Sequence, residues 1–164
     1  MIKKLSIIIP VFNEVKFFEQ SFKAISDLKI INNIKKEIVI VDDFSDDGTK
    51  EKIILLKTEK NFEIKKIFHS QNQGKGAAIH SGIKEMTGDY MIIRDADLEY
   101  FAEDINALVH EVLVRSADVV YGSRFISGKS HRILFFWHMM GNKFLTLLSN
   151  MVNNLNFTDM ETCY

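Results

Sequence analysis

Asp95, Asp97 and Glu99 occupy every second position at the end of the short apolar run Tyr90 to Ile93. That run reads as a buried strand. On an extended backbone alternate side chains point the same way, so the three carboxylates converge if the extended form continues past the strand. Carboxylates gathered in a small volume need a compensating cation. A hard divalent ion, Mg2+ or Mn2+, prefers oxygen ligands. Mg2+ is commonly held by one or two carboxylates together with substrate phosphates, so the stretch also predicts a phosphate-bearing ligand. The competing reading is a solvated acidic loop, and the elements that position this loop decide between the two.

Leu5 to Val11 and Glu37 to Val41 are continuous apolar runs, the pattern of strands buried on both faces. Pro10 marks the end of pairing in the first, and Asn13 is placed to cap a helix carrying Val15, Phe18, Phe22 and Ile25. Further elements are expected as a helix over roughly 49–60, a strand over 63–68 and a helix from about 72 to 86. A helix over 102–115 and a strand over 118–121 follow. Strands alternating with helices predict an α/β fold: a mostly parallel central sheet with helices on both faces. In such sheets ligands bind outside the carboxyl ends of the strands. Four polar clusters fall there: Asn13-Glu14, Asp42-Asp43, Gln73-Gly74-Lys75 and Asp95-Asp97-Glu99. Their coincidence at one edge favours the ligand site over four unrelated loops.

Each cluster has its own chemistry. Asp42 and Asp43 suit hydrogen bonds from a ribose or a base N–H, or else a solvated loop; Asp46 and Asp47 suit helix capping. Gly74-Lys75-Gly76 is neither a P-loop nor a dinucleotide fingerprint, but glycines at a helix start let backbone N–H groups approach an anion. Lys75 either steadies a phosphate or is simply solvated. Arg124 carries the planar fork that suits phosphate, and His131 and Arg132 are placed to meet a second anionic substrate. The apolar, aromatic stretch 133–157 reads as a helix docked on the domain or a partner, or as one lying on a membrane surface. No Ser-His-Asp constellation is suggested, and His69, His80, His110 and His138 show no metal-ligand spacing.

The chain has 164 residues, 46% hydrophobic and 26% charged, which suits one soluble globular domain over 1–164. A net charge near −1 gives no general pull toward nucleic acid, and one cysteine, Cys163, excludes an internal disulfide. Neither a signal peptide nor a membrane span is read, so a cytoplasmic location is expected.

Five segments together carry a resemblance. They are Ile8 to Glu14, Val41 to Thr49, Asn72 to Gly76, Asp95-Ala96-Asp97 and Tyr121 to Phe125. In this order they resemble family 2 glycosyltransferases of the GT-A fold, nearest the polyprenyl- and dolichyl-phosphate hexosyltransferase branch. The resemblance implies inverting transfer of a hexose from a nucleotide sugar to a lipid phosphate at the cytoplasmic face of a membrane. UDP-glucose is the first expected donor and GDP-mannose the second. Pro10, Asn13, Glu14, Asp42, Asp43, Gly74, Lys75, Asp95, Ala96 and Asp97 match nucleotide-sugar positions. Asp95, Asp97 and Glu99 match the metal shell for Mg2+ or Mn2+, with Asp97 the direct ligand. Arg124, His131 and Arg132 match positions near the acceptor phosphate, and Asp159 one near the catalytic centre. Family members continue past the segment Thr162-Cys163-Tyr164, so the chain is expected to be incomplete at its C-terminus. The alternatives are a family 2 enzyme with a sugar or polysaccharide acceptor, and a nucleotide-sugar-binding fragment without turnover. A nucleotidyltransferase is a further one, but it would carry a Gly- and Arg-rich loop where Phe12-Asn13-Glu14 stands.

Overall fold

The computed structural model describes residues 2–96, 101–123 and 136–160. They fall into two compact units, Met1–Ala117 and Asp118–Tyr164. The first holds a parallel four-stranded sheet of β1 (Lys4–Val11), β2 (Lys35–Asp42), β3 (Phe62–Phe68) and β4 (Tyr90–Ile93), in the order β3-β2-β1-β4. Helices α1 (Phe18–Asp27), α2 (Thr49–Leu55) and α3 (Lys75–Glu85) connect successive strands, and α4 (Asp104–Arg115) follows β4.

β1 and β2 are central, and their apolar runs are buried from Leu5 to Val11 and from Ile38 to Val41. From β1 the chain moves outward through β2 to β3, then crosses back to place β4 on the other side of β1. Right-handed crossovers put α1 and α2 on one face, and the reversed step puts α3 on the other. On that second face Ile8, Val39, Val41 and Ala78 form a buried cluster. The reversal makes the carboxyl ends of β1 and β4 a topological switch point, where open α/β sheets bind ligands.

Buried charge tightens the opposite edge. Lys36 is 4% exposed, and its ammonium donates to the carbonyls of Ile25, Ser26 and Leu28 at 2.6, 2.7 and 2.8 Å. Those carbonyls end α1, which has no basic residue in its own last turn. A strand lysine thus supplies the cation that a helix C-terminus favours. Burial pushes the Lys36 ammonium down to about 8, with Asp27 and Glu59 opposing, so it stays mainly charged at neutral pH. Lys36→Met leaves three acceptors orphaned and should cost about 2 kcal/mol, read from the urea midpoint. Gly88 leads into β4, where a Cβ would lie 2.7 Å from the Ser6 nitrogen and 3.0 Å from the Lys4 carbonyl oxygen. Only glycine permits that approach.

Two expectations are corrected. Asn13 does not cap α1, which begins at Phe18 with Phe17 at its cap. Asn13 takes a left-handed φ of 54°, receives the Asp46 N–H on Oδ1 and donates its own N–H to Ser45. Its side chain is committed to the β2–α2 loop. Residues 118–121 form no strand. Val-Val-Tyr has strand propensity but, among the described residues, no ladder partner; Val119 and Tyr121 are exposed, and the Tyr121 ring packs on Phe157 with centroids 4.4 Å apart.

The second unit contains α5 (Phe136–Asn153), which ends four residues before the expected 157; residues 133–135 lie outside the described residues. Its amphipathicity is inverted. Asn142 and Thr146 are buried and, with Asn150, form a polar row at four-residue spacing. Trp137, Phe144, Met151 and Val152 are 79, 60, 72 and 83% exposed.

Candidate active site

The carboxyl ends of β1, β2 and β4 and the start of α3 enclose a cleft of about 470 Å³. Pro10, Val11, Phe12 and Glu14 line it from β1 and the turn that follows, and Asp43 from the end of β2. Asn72, Gly74, Lys75 and Ala78 come from the entry and first turn of α3, and Asp95 and Ala96 from the end of β4. Seven residues assigned to the nucleotide sugar from sequence therefore meet here: Pro10, Glu14, Asp43, Gly74, Lys75, Asp95 and Ala96.

Asp43 organises the cleft. Its Oδ1 accepts from the Gln73 N–H at 2.9 Å and lies 2.6 Å from His69 Nδ1. Its Oδ2 accepts from the Gly74 N–H at 2.7 Å. Burial pushes its carboxyl up, but the Gln73, His69 and Gly74 bonds outweigh that and hold it below the usual carboxylate range. The carboxylate thus clamps the turn that opens α3. Gly74 sits there at φ 88°, a conformation that favours glycine.

His69 continues the line, with Nε2 2.9 Å from Ser81 Oγ on α3. Asp43, His69 and Ser81 are thus hydrogen-bonded in series, an arrangement the sequence spacing did not disclose. Here it anchors the β2 end to α3. A histidine directly after a strand that ends beside a buried aspartate was the available signal.

Asp42 points to the other face of the sheet and is fully buried. Its Oδ2 accepts from the Ser45 N–H at 3.3 Å, and its Oδ1 has no hydrogen-bond partner among the described residues. Gly48 is the cap residue of α2 and has no side chain to cap with; Asp47, one residue earlier, accepts from the Thr49 N–H and also from the Val15 N–H. These bonds knit the β1–α1 turn to the β2–α2 loop and fix where Glu14 enters the cleft.

Asp95 meets Lys75 directly, with the ammonium 2.6 Å from Oδ1 and 2.7 Å from Oδ2. Arg94, the residue before it, is 1% exposed. Asp97, Glu99, Arg124, His131 and Arg132 lie outside the described residues. Asp159 belongs to the second unit, where it is buried and accepts from Asn142 Nδ2 at 2.9 Å.

Among the described residues no three His, Cys, Asp or Glu side chains cluster as a complete metal shell. The cleft itself does suit a hard divalent ion. Asp95 and Glu14 line it beside a helix N-terminus that favours phosphate, and Mg2+ takes few protein carboxylates when phosphates complete its shell.

An open parallel sheet with carboxylates and a glycine-opened helix at its switch point is the α/β arrangement that binds ligands at this edge. The chain belongs to glycosyl transferase family 2, whose model matches residues 6–160, and its fold is that of the GT-A glycosyltransferases. It is 35% identical over 125 residues to the dolichol-phosphate mannosyltransferase of Pyrococcus furiosus, covering 76% of this chain and 34% of that protein. It is 36% identical over 124 residues to the undecaprenyl-phosphate 4-deoxy-4-formamido-L-arabinose transferase of Yersinia pestis, covering 73% and 36%. The chain therefore spans about a third of the length of these relatives. Among solved structures, the mannosyltransferase PcManGT of Pyrobaculum calidifontis, in complex with GDP-Man and Mn2+, superposes with a TM-score of 0.59 at 23% identity, covering 66% of this chain and 32% of that one. S. aureus TarS 1-349 gives 0.59 at 20%, covering 76% and 40%.

Proposed function

We propose that this chain carries the nucleotide-sugar site of an inverting glycosyltransferase that moves a sugar onto a polyprenyl phosphate. The observation that carries the reading is the cleft between β1 and β4, where Asp43, Asp95, Glu14 and the start of α3 converge in a family 2 chain. The two relatives act on different sugars, as their names state, but both names specify a polyprenyl phosphate. That agreement supports the acceptor class more than the sugar. UDP-glucose remains the first candidate donor and GDP-mannose the second, and residues 1–164 are taken as one glycosyltransferase domain.

In this reading Asp95, Asp97 and Glu99 hold Mg2+ or Mn2+. When bound, the ion neutralises charge on the departing nucleoside diphosphate. The β1 end and the turn held by Asp43 bind the nucleoside, and the α3 N-terminus faces the diphosphate. Arg124, His131 and Arg132 receive the acceptor phosphate. One of its oxygens bonds to the anomeric carbon as the bond from that carbon to the diphosphate oxygen breaks. The acceptor is already ionised at neutral pH, so Asp159 is assigned to positioning rather than to taking a proton. No helix among the described residues is long and apolar enough to cross a membrane. The exposed apolar face of α5 carries no acidic side chain, and we place it against the lipid surface that presents the acceptor.

The test is transfer of labelled sugar from UDP-glucose or GDP-mannose, with Mn2+, to a polyprenyl phosphate in vesicles. Labelled lipid should form, and Asp97→Ala should abolish it. Label passing only to sugar acceptors would favour the polysaccharide alternative. Donor binding without any transfer would favour the binding fragment.

A further inference from the structure

We infer that Lys75 is a built-in counter-ion of Asp95 that competes with the divalent cation, and that cation binding hands its ammonium to the donor diphosphate. This deepens the donor-site reading and rests on it.

The ammonium straddles the carboxylate, 2.6 Å from one oxygen and 2.7 Å from the other. The Asp95 side chain is 20% exposed and that of Lys75 54%, so the lysine reaches from solvent onto a partly dehydrated carboxylate. Lys75 is the first residue of α3. A positive side chain is unfavourable at that end of a helix, where the dipole and free N–H groups prefer an anion. Pairing with the Asp95 carboxylate offsets that cost.

A divalent cation ligated by Asp95 and an ammonium on the same oxygens are like charges on one carboxylate, and their repulsion disfavours joint occupancy. Once displaced, a lysine on a four-carbon stem moves easily as a point charge. A diphosphate held at the α3 N-terminus lies within the same cleft and can take it. The arrangement makes cation and diphosphate each favour the other: the cation frees the lysine that the diphosphate needs, and the diphosphate removes the lysine that opposes the cation.

The test uses the full chain and Lys75→Met, which keeps the stem and removes the charge. Mn2+ binding is followed by the electron paramagnetic resonance of the free ion, alone and with UDP or GDP. Without nucleotide, Lys75→Met should bind Mn2+ about tenfold more tightly than wild type. Its affinity for UDP or GDP without metal should fall about tenfold, and the gain in Mn2+ affinity on adding nucleotide should shrink. Lys84→Met, at the other end of α3, should match wild type in both measurements. Equal or weaker Mn2+ binding by folded Lys75→Met would overturn the assignment of Lys75 alone. If neither protein bound Mn2+ with UDP or GDP present, the donor-site reading would fall and this inference with it. A gain by Lys84→Met equal to that of Lys75→Met would reduce the effect to net charge and also overturn the assignment.

Discussion

Asp43→Asn is expected to weaken nucleotide-sugar binding by about a hundredfold and to destabilise the protein by about 3 kcal/mol. The substitution keeps size and shape. It replaces one acceptor oxygen by an NH2 group that must face Gln73, Gly74 or His69, all of which now bond to the carboxylate. At least one of these part-buried groups is left with a weaker or missing partner, which loosens the turn that opens α3. Because the folded-state carboxyl is held below its ordinary value of 3.8, its contribution is complete above that pH. It is lost as the pH falls through the lower, folded-state value. The stability difference between wild type and variant should therefore be flat near neutrality and narrow below pH 3.8. Urea midpoints across pH read the stability, and calorimetric titration on the folded variant reads the affinity. Wild-type donor affinity in the variant would remove the Gln73–Gly74 turn from the donor site.

Glu37→Gln should cost about as much stability with no direct effect on the cleft. Glu37 is fully buried at the start of β2. It accepts from Ser6 Oγ at 2.5 Å and from the Thr87 N–H and hydroxyl at 2.8 and 2.7 Å, with Lys4 and Lys65 at 3.2 and 3.4 Å. Burial alone would raise its carboxyl, but the Ser6, Thr87 and Lys4 bonds outweigh it and hold the group at about 2 against an ordinary 4.5. That difference corresponds to about 3 kcal/mol. The sign follows from proton binding. Between pH 4.5 and 2 the unfolded chain binds the proton and the folded one does not, so the contribution is full above 4.5 and gone below about 2. The variant should lose this stretch of acid sensitivity while keeping that of Asp43, Asp47 and Asp89, whose carboxyls are also lowered. Stability curves from pH 6 to 2 that stay parallel for wild type and variant would contradict the assignment.

The sheet was legible because its two central strands are buried on both faces and read as unbroken apolar runs. Their alternation with helices places Asp43, Gly74, Lys75 and Asp95 at one edge from sequence alone. What stayed hidden depends on partners distant in sequence. Glu37 opens a strand-like run and gives no sign that Ser6 and Thr87, 31 and 50 positions away, surround its carboxylate. His69 shows no metal spacing with the other histidines, and its partners are an aspartate 26 positions earlier and a serine 12 later. Asn13 has the composition of a cap, and only the loop packing shows that its side chain is spent on Asp46. Residues 118–121 show the converse: strand propensity with no ladder partner among the described residues makes no strand. The inverted face of α5 was visible as excess apolar residues, but which side faced inward depended on Asn142 and Thr146 finding polar partners.

Nucleotide-sugar binding by the cleft between β1 and β4 through a divalent cation is the step on which the other proposed roles rest. Its most direct test is calorimetric titration of UDP-glucose and GDP-mannose, each with and without Mn2+, into wild type and Asp97→Ala. At least one donor is expected to bind, in a Mn2+-dependent way that Asp97→Ala loses. A folded chain that binds neither donor, or binds one equally well without Mn2+ and in the variant, would contradict it.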